Sequence, residues 1–171
     1  MFRFIASILV IYLLVGCHSI RHVVSFFSAS DTANLNFSNS EIDQLIKYAD
    51  RFEGIPYRVG GSNEEGMDCS GLLFRVYVDN NFVIPRSSGQ QAQYGLSVPI
   101  NKIQKGDWVF FRTNGSFVIN HIGLVNSVHG ERDVQFIHAS TSKGVRSDQL
   151  YANYWFKAFD KAIRPFKNNS N

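Results

Sequence analysis

The chain has 171 residues, 44% of them hydrophobic and 18% charged, the composition of one globular domain with a targeting sequence ahead of it and not of a disordered protein. Its net charge of +3 is mild and its Lys and Arg form no run, so nucleic-acid binding is excluded as the expected role and no nucleic-acid partner is implied. Fifteen Phe and seven Tyr give the domain large side chains to bury.

In chain order, Arg3 followed by the apolar stretch from Phe4 to Val15 has the charged and apolar regions of a secretory signal. The stretch falls well short of the roughly 20 apolar residues that span a bilayer as a helix. Leu14, Val15 and Gly16 ahead of Cys17 resemble the bacterial lipobox, in which the signal is cleaved before a cysteine that receives lipid. The expected division is a signal peptide over 1–16, a lipidated N-terminus and tether over 17–37, a folded domain over 38–166 and a tail over 167–171. A lipidated Cys17 cannot pair, which leaves Cys69 as the one thiol of the mature chain in a compartment where cysteines usually form disulfides. The alternative for Cys69 is a buried, inert cysteine packing as a small hydrophobe.

The domain opens with Ser38 and Glu41 at capping-box spacing, and Ile42, Leu45, Ile46, Ala49 and Phe52 follow on one helical face. Gly54 and Pro56 end that helix, and the glycines through Gly66 predict a loop. Leu72, Leu73, Val76 and Tyr77 form the apolar stripe of a second helix that begins near Cys69. A third, shorter helix is predicted from Ser87 to Tyr94. From Lys105 the pattern changes: a turn at Lys105-Gly106-Asp107, an apolar run from Trp108 to Phe111, and a hairpin signal at Asn114-Gly115. Strand-like runs follow at His121–Val128, Val134–Ala139 and Lys161–Arg164. Helices first and strands second predict an α+β domain with a largely antiparallel sheet.

A thiol attacks a carbonyl as thiolate, and the first turn of a helix favours negative charge, so Cys69 is placed as a nucleophile should be. Its own N–H could help hold an oxyanion, and Gly71 allows a neighbouring segment close to the helix start. A base is needed within reach, oriented by a third group. His121 and His138 lie on consecutive predicted strands, and if these pair as an antiparallel hairpin the two imidazoles can meet, with His138 setting the tautomer of His121. A histidine alone in a strand is more often a satisfied core or edge residue. One Cys and two His could also bind zinc, but the helix-start position of Cys69 and the lack of a fourth ligand nearby argue against it.

Asp68-Cys69-Ser70-Gly71-Leu72, His121-Ile122-Gly123-Leu124-Val125 and Phe136-Ile137-His138-Ala139-Ser140 resemble the three signatures of the NlpC-type cell-wall peptidases, papain-like cysteine hydrolases with a Cys–His–His triad. Pro56-Tyr57-Arg58-Val59-Gly60-Gly61, Pro85-Arg86-Ser87-Ser88 and Lys105-Gly106-Asp107-Trp108 are similar to further family segments, and the likeness runs from about Ser38 to Phe166. It implies a papain-like fold with N-terminal helices packed on a central antiparallel sheet, Cys69 as nucleophile, His121 as general base and His138 as orienting residue. Tyr57 would support the oxyanion. Asp68, Ser70, Arg86 and Ser87 would line the substrate groove, with a helix cap as the plain alternative for Asp68; Asp107 is read as a turn and packing residue. No metal or organic cofactor is needed. The implied activity is cleavage of peptidoglycan stem peptides by a monomer tied to the membrane through Cys17. Likeness to the short lipid-anchored members points to opening of D-alanyl–diaminopimelate cross-links. The alternatives are cleavage of D-glutamyl–diaminopimelate bonds, or a non-catalytic wall-binding or zinc-binding lipoprotein. His18 after Cys17 is not the Asp that retains lipoproteins in the inner membrane, so an outer-membrane anchor facing the periplasm is expected where the cell has two membranes.

Overall fold

The computed structural model describes residues 36–168; the expected signal peptide, Cys17 and most of the tether lie outside them. The first helix, α1 (Asn39–Asp50), begins where Ser38 and Glu41 form the capping box, the N–H of Glu41 donating to Ser38 Oγ and the N–H of Ser38 to the Glu41 carboxylate. It buries Ile42, Leu45, Ile46 and Ala49, each of the larger three stabilising the fold by ~1.5–3 kcal/mol relative to exposure. Helix α2 (Cys69–Asp79) follows a loop that carries two short paired strands, β2 (Ser62–Asn63) and β3 (Gly66–Met67). Helix α3 is shorter than predicted, Ser88–Gln91, and gives way to a turn.

The second half builds one six-stranded antiparallel sheet from β4 (Leu96–Val98), β5 (Trp108–Phe111), β6 (His121–Gly130), β7 (Asp133–Ser140), β8 (Gly144–Gln149) and β9 (Phe159–Arg164), in the order β4-β9-β5-β6-β7-β8. The α+β class and antiparallel sheet expected from the sequence are both found. Among the elements not predicted are β4, β8 and a six-residue helix, α4 (Asn153–Ala158). Asn114 and Gly115 both adopt positive φ, 55° and 70°, and turn the chain within the longer connection between β5 and β6.

Alternation along the strands sorts side chains to two faces. Trp108, Phe110, Ile122, Leu124, Ile137 and Ala139 pack with α1 and α2. Val109, Phe111, Val125, Phe136 and Ala162 form the other face with Leu150 and Trp155. Trp108 is fully buried, and its indole N–H finds the hydroxyl of Tyr77 at 2.9 Å, the partner a buried indole requires. Asp107, also fully buried, receives Nε and Nη2 of Arg164 at 2.8 and 2.9 Å. The folded unit runs past the expected boundaries at 38 and 166. Two-residue strands β1 (Asn36–Phe37) and β10 (Lys167–Asn168) pair in parallel, because Phe37 is fully buried against Tyr77, Phe82 and Phe166.

Candidate active site

Asp68 starts α2 in front of Cys69. Its backbone is extended, and Oδ1 accepts the N–H of Gly71 at 2.6 Å, satisfying a donor that helix geometry leaves open. The same carboxylate accepts the N–H of Gly60 at 2.8 Å and, at 3.0 Å each, the Ser70 hydroxyl and both terminal nitrogens of Arg86. Arg86 also donates to Ser70 Oγ at 2.9 Å and to the Gly61 carbonyl at 3.1 Å. Burial raises the Asp68 carboxyl, but Arg86 and the Gly71 N–H outweigh it and hold it below the usual carboxylate range. Asp68, Ser70 and Arg86, expected in the substrate groove, thus turn their polar atoms to one another and brace the helix start; for Asp68 the cap is what is seen. A Cβ at Gly71 would sit 2.0 Å from the Gly61 carbonyl oxygen, so only glycine lets this loop lie on the helix. Ser87 is exposed and caps α3. Gln91, not singled out in the sequence, is fully buried beneath this network, its Nε2 donating to Ser70 O and Pro85 O at 3.2 and 2.8 Å.

Cys69 is a free thiol, 6% exposed. Its sulfur lies 4.0 Å from the Asn120 carbonyl oxygen and receives the N–H of Ile122, so it rests against the backbone on both sides of His121. Burial pushes the thiol up to about 11, although the N–H groups of Ile122, Ser70 and Cys69 pull it down. The helix start acts in the direction anticipated, but loss of water outweighs it, and the resting sulfur is protonated rather than anionic. Burial, helped by His138, likewise pulls His121 down to about 3 against the charge of Asp148. The resting pair is therefore a thiol and a neutral imidazole. Tyr57 is held by a bridge to Met67 just ahead of α2. Burial raises its hydroxyl first, and the Asp68 carboxylate and, once ionised, the Cys69 sulfur raise it further, which puts it in their electrostatic neighbourhood.

The two histidines do meet. His121 Nε2 and His138 Nδ1 are 2.9 Å apart, and His138 Nε2 is 3.1 Å from Asp148 Oδ2. Burial raises the Asp148 carboxyl, but hydrogen bonds from His138 and Trp155 and the charge of Arg146 hold it below its usual range, so it is ionised and can only accept. His138 must then carry its proton on Nε2. Being neutral, because burial lowers it, it offers a lone pair on Nδ1. His121 must in turn donate from Nε2, which leaves its Nδ1 lone pair free. The chain Asp148–His138–His121 fixes the tautomer in which His121 can take up a proton.

Asp148 and Trp155 are the members of this arrangement that the sequence did not disclose. Trp155 donates from Nε1 to Asp148 Oδ2 at 3.1 Å and stacks on His121, with centroids 5.3 Å apart and planes at 23°. The available signal was weak: on β8 only the two-residue spacing of Arg146 and Asp148, and in α4 a lone tryptophan. Beside His121 a cleft opens, walled by Asn114, Ser140, Lys143, Arg146, Asp148 and Trp155 among others.

The family model described as NlpC/P60 matches residues 54–164. The chain is 33% identical over 147 residues to the murein DD-endopeptidase MepS/murein LD-carboxypeptidase of Escherichia coli K12, covering 79% of this chain and 74% of that protein. It is 34% identical over 163 residues to the probable endopeptidase NlpC of the same strain, covering 95% and 99%. Among solved structures, an NlpC/P60 family protein from Bacillus cereus ATCC 10987 superposes with a TM-score of 0.63 at 30% identity, over 72% of this chain and 39% of that longer one. With the family model spanning more than half of its length and two curated relatives aligned over most of theirs, the chain belongs to the NlpC/P60 family.

Proposed function

We propose that the protein is a cysteine endopeptidase of peptidoglycan that opens D-alanyl–diaminopimelate cross-links, with Cys69 as nucleophile, His121 as general base and His138 as orienting residue. The observation that carries this reading is the hydrogen-bonded order Asp148–His138–His121, with the Cys69 sulfur, at a helix start, 4.0 Å from the carbonyl oxygen of Asn120, the residue before His121. As a substrate carbonyl seats over the sulfur, His121 Nδ1 takes the Cys69 proton and the thiolate attacks. The oxyanion is held by the N–H of Cys69, with support from the Tyr57 hydroxyl. His121 returns its proton to the leaving amine, and water, deprotonated by His121, releases the acyl group from sulfur. The cross-link is chosen over a D-glutamyl bond because two relatives that the chain covers almost end to end or over most of their length are named as endopeptidases, one of them a murein DD-endopeptidase.

The test is mass analysis of purified muropeptides digested by the protein, with Cys69→Ala as control. Products with new D-alanine carboxyl ends support the cross-link reading. Products ending in D-glutamate overturn that choice of bond while keeping the nucleophile, and no product from the intact protein overturns the enzyme itself. We read Cys17 as the lipid attachment point of a monomer held in the outer membrane and facing the periplasm, on its lipobox-like context. Transfer of the Cys17→Ala protein from the membrane to the soluble fraction is the expected outcome, and its retention in the membrane would refute the anchor.

A further inference from the structure

The cleft beside His121 has a position and a charge that the mechanism leaves unused. Its position follows from the reaction. The nitrogen that His121 protonates must lie over the imidazole, and the leaving fragment continues from that nitrogen away from the sulfur. The cleft is walled by His121 and Trp155, so a fragment that leaves from that nitrogen has the cleft beside it.

Its charge follows from the pairing of its side chains. Asp148, a carboxylate in the wall, is fully engaged: Oδ2 receives His138 and Trp155, and Oδ1 pairs with Nη2 of Arg146 at 2.7 Å. Arg146 keeps a buried Nε–H with no acceptor among the described residues. Lys143, exposed in the turn between β7 and β8, forms no ion pair among the described residues. Two cations therefore face one carboxylate whose oxygens are already occupied, and the cleft is left with a net positive charge.

We infer that this cleft is a carboxylate-binding subsite for the leaving group, in which Lys143, backed by Arg146, recognises a free carboxylate on the carbon that bears the scissile amine. The inference rests on the peptidoglycan reading above and says which bonds qualify. In a D-alanyl–diaminopimelate cross-link the acceptor carbon carries both the amide nitrogen and a free carboxylate. A terminal D-alanine presents the same pair of groups. The diaminopimelate carbon acylated by D-glutamate carries a carboxyl group already tied up as an amide in any longer stem, and lacks the charge.

The experiment uses the full chain, purified cross-linked muropeptide dimers, the same dimers with the acceptor carboxylate amidated, and uncross-linked tetrapeptide muropeptides. The intact protein is expected to favour the free carboxylate about tenfold in kcat/KM, the scale of one charge-assisted hydrogen bond, chiefly through KM. In Lys143→Met the preference collapses to within about twofold, and Lys143→Arg restores it. Raising salt narrows the preference in the intact protein. If D-alanine release from tetrapeptides shows the same Lys143 dependence, the site also reads terminal carboxylates; dependence confined to dimers assigns it to the cross-link. Equal rates on free and amidated dimers, or a preference that survives Lys143→Met, overturn the subsite and leave the cross-link reading standing. Cleavage confined to D-glutamyl bonds overturns both.

Discussion

Replacing Asp148 by Asn tests whether the imidazole order is imposed by that carboxylate. Asn keeps the shape but presents one oxygen and one NH2, and the surroundings penalise both orientations. With oxygen toward the rings it still accepts from His138 Nε2 and Trp155 Nε1, but its NH2 then faces the Arg146 guanidinium, now 2.7 Å from Oδ1. Turned round, its NH2 meets two ring N–H groups. His138 would have to shift its proton to Nδ1, His121 would follow, and the lone pair proposed to take the Cys69 proton would be lost. The first orientation is the less costly. It exchanges a charged acceptor for a neutral one, a difference of about 1–1.5 kcal/mol, and removes the negative charge that favours an imidazolium during attack. Together these amount to roughly 1.5–3 kcal/mol, a fall of about 10- to 100-fold in kcat/KM. Because Asp148 raises His121, its removal also moves the acid limb of the pH–rate profile to lower pH. Asp148 is part-exposed and its stability contribution small, under about 1 kcal/mol, so the folded fraction at neutral pH stays unchanged. Turnover of cross-linked muropeptides against pH, with thermal unfolding in parallel, reads all three quantities. A kcat/KM within twofold of the unsubstituted protein and an unmoved acid limb would refute the relay.

Asp68→Ala removes a helix cap and leaves Arg86 without its acid, for a loss of about 3–5 kcal/mol; Asp68→Asn keeps the cap and costs less. Chemical denaturation that ranks the two equal would show that the ion pair contributes nothing. Gly71→Ala drives a Cβ to 2.0 Å from a backbone carbonyl oxygen, a clash no rotamer relieves, so a large fall in thermal midpoint is expected, and an unchanged midpoint would mean the Gly61 loop does not lie where described. The buried His121 gives the fold an acid limit. Its folded pKa lies below the unfolded value of 6.5, so its contribution is complete above that pH and is lost as pH falls toward about 3, by up to about 1.4 kcal/mol per pH unit. Urea unfolding at pH 7, 6 and 5 should show this slope and His121→Gln should flatten it; an equal slope in the variant would assign acid sensitivity elsewhere.

The elements legible in the sequence are those specified by neighbours along the chain. The Ser38–Glu41 box and the apolar face after it define α1 locally, and the stripe from Leu72 to Tyr77 marks α2 and so puts Cys69 at a helix start. Long apolar runs announced β5, β6 and β7, and with them the two histidines as facing candidates. The pairing that joins those histidines, the Asp148 carboxylate behind them and the Trp155 ring against them belong to tertiary structure. β8 is a polar segment whose strand exists because β7 offers it hydrogen-bonding partners, His138 opposite Arg146 and Phe136 opposite Asp148. Helix α4 has no side-chain cap and holds its place through the aromatic contacts of Trp155. The charge state of Cys69 was likewise beyond local reading, since it depends on how much water the fold removes from the sulfur. The sequence by itself determined where the candidate groups stand, Cys69 at a helix start and the two histidines on successive strands, because motif spacing and helix periodicity are properties of adjacent residues. Their tautomers, their charges and the cleft beside them were decided only when distant strands came into register, because burial and hydrogen bonding are set by whatever the fold packs around each group.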